Sequence, residues 1–157
     1  MLTVNLYNIY LGDFDAATQP NLDYFGQNLG GTPWYNIQTT YVDATGVPLE
    51  NNVTWIQSVA VSAAGLNYSF STDYHSACVA FLSDLFTKGT LPADSKGVYT
   101  IFFRDVVLAG AMVQWCGLHS YFLYGGKYMK YSLVVDPTSV WTVCMLGGEA
   151  CDVKCFL

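Results

Sequence analysis

The stretch Val98 to Phe103, Val-Tyr-Thr-Ile-Phe-Phe, constrains the fold more than any other part of the chain. It is apolar at alternating positions of both parities, so neither face of a strand built from it can be left to water. It therefore reads as a central strand of a sheet, with other elements packed over both of its faces. Arg104 and Asp105 follow at once, then Val106-Val107-Leu108, a Gly-containing passage and Trp115-Cys116-Gly117-Leu118-His119-Ser120. A buried strand that delivers polar residues into a loop is a common way to hold a site. On that ground Arg104, Asp105, Trp115 and His119 are the candidate binding residues.

A central strand needs neighbours, and the chain has material for them. Its 157 residues suit a single domain, which at this size buries roughly 70% of the surface its unfolded chain exposes. Hydrophobic residues make up 52% and charged ones 11%, against roughly 25% charged in ordinary soluble domains, so disorder is disfavoured. Six Lys plus Arg against 12 Asp plus Glu leave a net charge of -6, with no cluster of cations. Nucleic-acid and anionic-membrane partners need a positive footprint and are disfavoured. No run of about 18 apolar residues is present, so membrane insertion is not expected.

The order of elements is an alternation of strands and helices. Leu2 to Leu11 reads as a strand that ends at Gly12. Thr18 can cap a helix with Pro20 in its first turn, and Leu22, Phe25 and Leu29 recur at helical spacing until Gly30-Gly31. Trp34-Tyr35 beside Pro33 is read as packing over a helix end rather than as a ligand platform. Thr39 to Val42 and Val53 to Ser62 read as strands. In the second, Val53, Trp55, Val59 and Val61 share one face and Thr54, Ser58 and Ser62 the other, which suggests an edge or a solvent-facing antiparallel position.

The clearest helix has Thr72 as its cap and Asp73 in the first turn. Its apolar stripe is Tyr74, Ala77, Cys78, Phe81, Leu82 and Leu85, and Lys88-Gly89 ends it. Cys78 lies on the stripe as a buried free thiol; His75 lies off it and reads as solvent-facing. Later, Gly125-Gly126 is a two-residue hairpin signal between Ser120 to Tyr124 and Tyr128 to Val135, and Asp136-Pro137 closes the second strand. The expected architecture is a single α/β (α+β) domain, a mixed sheet with two main helices.

The chemistry-bearing residues do not combine into a recognised site. Cys116 and His119 have the spacing of two zinc ligands, but a structural zinc site takes four and a catalytic one usually three. A disulfide from Cys116 to Cys144 is the plainer reading, and Cys116, Cys144, Cys151 and Cys155 are the disulfide candidates with connectivity open. A Cys116/His119 nucleophile pair lacks a surrounding signature. No G-x-S-x-G elbow or phosphate-binding Gly pattern occurs. Arg104-Asp105 reads as a structural ion pair at a strand end. No cofactor and no catalytic residue is expected, and His119 is only a weak metal candidate. Five cysteines and the sequons at Asn52 and Asn67 favour an extracellular setting, although Met1 to Asn5 is already strand-like and lacks a secretory leader.

Several segments in the same order resemble the phosphate-induced protein 1 family, also called EXORDIUM-like. Val4-Asn5-Leu6-Tyr7-Asn8-Ile9-Tyr10-Leu11-Gly12-Asp13-Phe14 is similar to the family's first core strand, and Pro33-Trp34-Tyr35 to its aromatic motif after the first helix. Val98 to Phe103 is similar to its central strand, and Cys116-Gly117-Leu118-His119-Ser120 to its Cys-Gly-x-His segment. The resemblance implies one EXORDIUM-like domain over residues 1–157, without the family's leader or its Cys- and aromatic-rich C-terminal part. It implies a secreted, cell-wall-associated or apoplastic protein, linked in plants to growth and nutrient responses, with no established catalytic activity. Wall polysaccharide or a wall protein would be its partner. The rival expectation is a metallopeptidase-like metallohydrolase with an incomplete metal site. Some microbial members carry a His-Glu segment that suggests such ancestry, and this chain has no His-Glu dipeptide.

Overall fold

The computed structural model describes residues 3–42, 45–64, 66, 73–104 and 117–135. Asp105, Trp115, Cys116, Cys144, Cys151, Cys155, Asn67, Thr72 and Asp136-Pro137 lie outside the described residues.

Five strands form one sheet: β1 (Val4–Leu11), β2 (Val53–Val61), β3 (Gly97–Phe103), β4 (Gly117–Tyr124) and β5 (Lys127–Val135). Their order is β2-β1-β3-β5-β4, parallel throughout except for β4, which runs antiparallel to β5. Two α-helices, α1 (Thr18–Gln27) and α2 (Tyr74–Thr87), join the first three strands. This is the expected mixed α/β sheet with two main helices. The step from β1 to β2 and the step from β2 to β3 cross the sheet in opposite directions. Right-handed crossovers then require the two helices to lie on opposite faces, and they do. Gly26 of α1 packs closely on Leu6 and Trp55, whereas α2 lies on the face that carries Tyr7, Ile9 and Leu11.

The α2 face is the core. Tyr99, Ile101 and Phe103 of β3, Met129, Tyr131, Leu133 and Val135 of β5, and Ala77, Cys78, Phe81, Leu82, Leu85 and Phe86 of α2 are buried together. Each large side chain sealed there contributes about 2 kcal/mol of transfer free energy. The stripe on α2 is the expected one, with Phe86 added. The cap is not the expected Thr72 but Asp73, whose Oδ1 accepts from the Ser76 backbone N–H at 3.0 Å. Inside the core, the Tyr99 hydroxyl donates to the Pro92 carbonyl at 2.6 Å and accepts from the Asp94 backbone N–H at 2.7 Å. The polar tip of a fully buried ring is thereby satisfied. The opposite face of β3, at Val98, Thr100 and Phe102, is only half-buried.

Other local expectations change as well. Residues 39–42 are not a strand: Tyr35–Thr40 is a 3₁₀ helix, and only Val42 makes an isolated bridge, to Pro48. The hydroxyls of Thr39 and Thr40 donate back to the carbonyls of Asn36 and Ile37 at 2.8 Å, the local competition that keeps such residues out of a ladder. Thr18 is the first residue of α1 and not its cap, a position that Ala17 takes, and Leu29 falls beyond the helix, which ends at Gln27. In β2 the register slips between Leu6 and Tyr7, so that Trp55 pairs with Leu6 and Gln57 with Tyr7. Ile56 is thus a bulge. Strict alternation put Val53, Trp55, Val59 and Val61 on one face, but the extra residue moves Val59 and Val61 to the α2 face and leaves Trp55 under α1. β2 pairs with β1 alone among the described residues, as expected of an edge. Finally, β4 begins at Gly117, so His119 stands in a strand and not in the loop after β3.

Candidate functional site

In sheets of this type ligands sit outside the carboxyl ends of the parallel strands, where the connections diverge. Here that point lies between β1 and β3, and Arg104 stands there, one residue past β3. Its Nη1 is 3.2 Å from Asp15 Oδ2. Asp15 also accepts from the backbone N–H groups of Ala17 and Thr18 at 3.0 and 2.9 Å and from the Thr18 hydroxyl at 2.6 Å. The side-chain and backbone hydrogen bonds of Thr18, then that of Ala17 and the Arg104 guanidinium, hold its carboxyl down at about 2. Among the described residues the carboxylate on Arg104 is Asp15, and the expected pair with Asp105 lies outside the described residues. The corner fastens the start of α1 to the end of β3, which is a structural use of both charges. Asp15 was legible only as the opening of an Asp-x-x-Thr turn before Pro20.

His119 lies on the outer strand β4, exposed, opposite Ser132 of β5. Ser132 pairs with Thr100, Thr100 with Asn8, and Asn8 with Ser58. One polar residue from every strand thus stands at one level on the face opposite α2. At its β2 end the row is closed by α1: Asn8 Nδ2 and the Tyr10 hydroxyl donate to Asp23 Oδ1 at 2.9 and 2.6 Å, and the Ser58 hydroxyl donates to Asp23 Oδ2 at 2.9 Å. In the middle, the Ser132 hydroxyl donates to Thr100 Oγ1 at 2.9 Å. Among the described residues no three His, Cys, Asp or Glu side chains gather as a metal-binding group.

Below His119 on the same face is a feature that periodicity did not single out. Tyr121, Leu123 and Tyr128 are 63%, 62% and 61% exposed. The rings of Tyr121 and Tyr128 meet edge to face, centroids 5.6 Å apart and planes at 80°. Together with Lys130 they line an open, shallow pocket of about 370 Å³. The Lys130 ammonium donates to the Ser95 carbonyl, and partial burial pushes its pKa down. The hairpin is apolar on both faces in sequence, Leu118, Phe122 and Tyr124 on one side and Tyr121 and Leu123 on the other. β4 by itself does not show which set is outside; the alternation of Met129, Tyr131, Leu133 and Val135 with Lys130 and Ser132 marks the buried face on β5 alone.

Cys78, on α2, is fully buried and free. Burial, first, and the nearby Asp73 charge push its thiol up to about 12, against a hydrogen bond with Tyr131. His75 is exposed but not idle: its Nδ1 is 2.8 Å from the Tyr131 hydroxyl. A protonated, inaccessible thiol is a poor nucleophile. Alkylation of Cys78 by iodoacetamide at pH 8 is expected to be about 100-fold slower in the native protein than in urea. Peptide mapping checks this, and equal rates would mean that α2 opens readily. Of the sequons, Asn52 is exposed immediately before β2.

Compared with family models, with curated proteins and with solved structures, the chain finds no match.

Proposed function

We propose that the protein is a secreted or cell-wall-associated, non-enzymatic binding protein of the phosphate-induced, EXORDIUM-like type, acting on or through wall carbohydrate. The observation that carries this reading is the exposed aromatic face of the β4–β5 hairpin. That hairpin begins inside the segment Cys116-Gly117-Leu118-His119-Ser120, on which the resemblance to the family partly rests. Solvent-exposed rings on rigid strands, beside a few polar groups, make a surface suited to ligand recognition. Retention of the purified protein on insoluble cell-wall material, and its release by soluble wall polymers, is the expected result. Failure of the wild-type protein to be retained would sink the reading. Stoichiometric zinc that is lost in His119→Ala would replace it with the metallohydrolase alternative.

A further inference from the structure

We infer that the outer face of the β4–β5 hairpin is a saccharide-binding site that takes a pyranose unit of a neutral polysaccharide in the corner formed by Tyr121 and Tyr128. The inference rests on the wall-binding reading above and assigns the residues and the ligand class. The two rings stand at 80°, so one serves as a floor and the other as a wall. A pyranose is similarly two-sided, with an apolar C–H face and a rim of hydroxyls. Its C–H face can lie on one aromatic ring while its hydroxyls reach Lys130 at the pocket's edge, and Ser132 and His119 one step further along the strands. The pocket is open rather than enclosed, which suits a residue within a polymer better than a free sugar.

Charge selects among ligands. Residues 117–135 contain no Asp or Glu, and Lys127, Lys130 and His119 are their only basic groups. Asp94, the carboxylate nearest Lys130 in its electrostatic influence, is already engaged by Asn5 and Tyr7 at 2.7 and 3.0 Å. With a net charge of -6 on the whole chain, an acidic polymer would be repelled at long range; Lys127 and Lys130 oppose this locally, but the Lys130 ammonium already donates to the Ser95 carbonyl. A cationic ligand would find no carboxylate on the hairpin. Size argues against a second copy of the chain: three exposed apolar side chains fall far short of the roughly 20–30 residues a side of a stable protein interface.

The test is affinity electrophoresis of the full chain in gels containing neutral glucan, xylan, mannan or polygalacturonate, beside retention on whole wall material. At least one neutral polymer is expected to retard the wild type, with little change when salt is raised from about 0.05 to 0.3 M. Tyr121→Ala/Tyr128→Ala is expected to weaken retardation at least tenfold while its melting temperature stays near wild type, since both rings are exposed. Lys130→Gln is a second, conservative variant, expected to lose a smaller factor. Retention on wall material without retardation by any neutral polymer, or retardation by polygalacturonate alone, would overturn the assignment and leave the wall-binding reading intact. Equal binding by the double variant would do the same. A wild-type dimer that the double variant abolishes would assign the face to self-association instead. If whole wall material retains nothing, both the inference and the reading on which it rests fail.

Discussion

Asp23→Ala is expected to lower the unfolding free energy by about 3 kcal/mol, and with it the melting temperature by about 6 to 12 °C for a domain of this size. The carboxylate ties α1 to two strands by hydrogen bonds. It accepts from Asn8 and Tyr10 of β1 through Oδ1 and from Ser58 of β2 through Oδ2. Asn8 is 2% exposed and Tyr10 1%, so water cannot replace the lost acceptor without opening the helix–sheet contact. Each buried donor left unpaired costs about 1 to 3 kcal/mol. Tyr10 retains a weaker alternative in the Gln19 carbonyl at 3.2 Å, which keeps the total toward the lower end of the sum. Asp23→Asn preserves one acceptor oxygen and is expected to cost about 1 kcal/mol. Urea unfolding of the two variants checks the order. A change below about 1 kcal/mol for the alanine variant would mean that α1 is held by packing alone.

Gly30→Ala is expected to destabilise by about 3 kcal/mol, and Gly31→Ala by about 1 kcal/mol. A methyl at Gly30 would stand 2.6 Å from the Val53 carbonyl oxygen and 2.7 Å from its nitrogen. Both are backbone atoms at the first residue of β2, so relief requires the loop after α1 to leave the sheet. That loop is stitched down: the Gly31 N–H reaches both the backbone and side-chain oxygens of Asn51 at 3.1 Å, and Asn51 Nδ2 reaches the Thr32 carbonyl at 3.0 Å. Gly31 instead has φ of +78° and nothing within 4 Å of a built Cβ, so alanine there meets only the intrinsic left-handed penalty. Thermal melts of the pair test the ranking, and a larger loss at Gly31 would falsify the close-contact argument.

The two glycines mark where local reading stops. The sequence treats them alike, as a pair closing a helical pattern, although α1 already ends at Gln27. Only the packing of the loop on Val53 separates a crowded position from an open one. The same division runs through the candidate site. Arg104 was visible as a charge at the end of a buried strand, but its described partner Asp15 is 89 residues away, a distance at which no spacing rule operates. The bulge at Ile56 shows the limit in another form, because one extra residue reverses every later side chain of β2 without altering its composition.

What the sequence determined by itself was the set of elements whose apolar pattern has a single solution. Val98 to Phe103, apolar at both parities, had to be an interior strand, and it pairs with β1 and β5. The 3.6-residue stripe from Tyr74 to Leu85 had to be a helix with that stripe buried, and Gly125-Gly126, with φ of 54° and 78°, had to turn a hairpin. The tertiary structure decided the rest wherever two faces were equally apolar or a partner was distant in the chain. It turned Phe122 inward under α2 and left Tyr121 outside, whereas on β5 the alternation of Met129, Tyr131, Leu133 and Val135 with Lys130 and Ser132 already marked the buried face. The reason is geometric: a strand's two faces are related by a rotation that local sequence cannot register, and only the helix that covers one of them makes the other a surface.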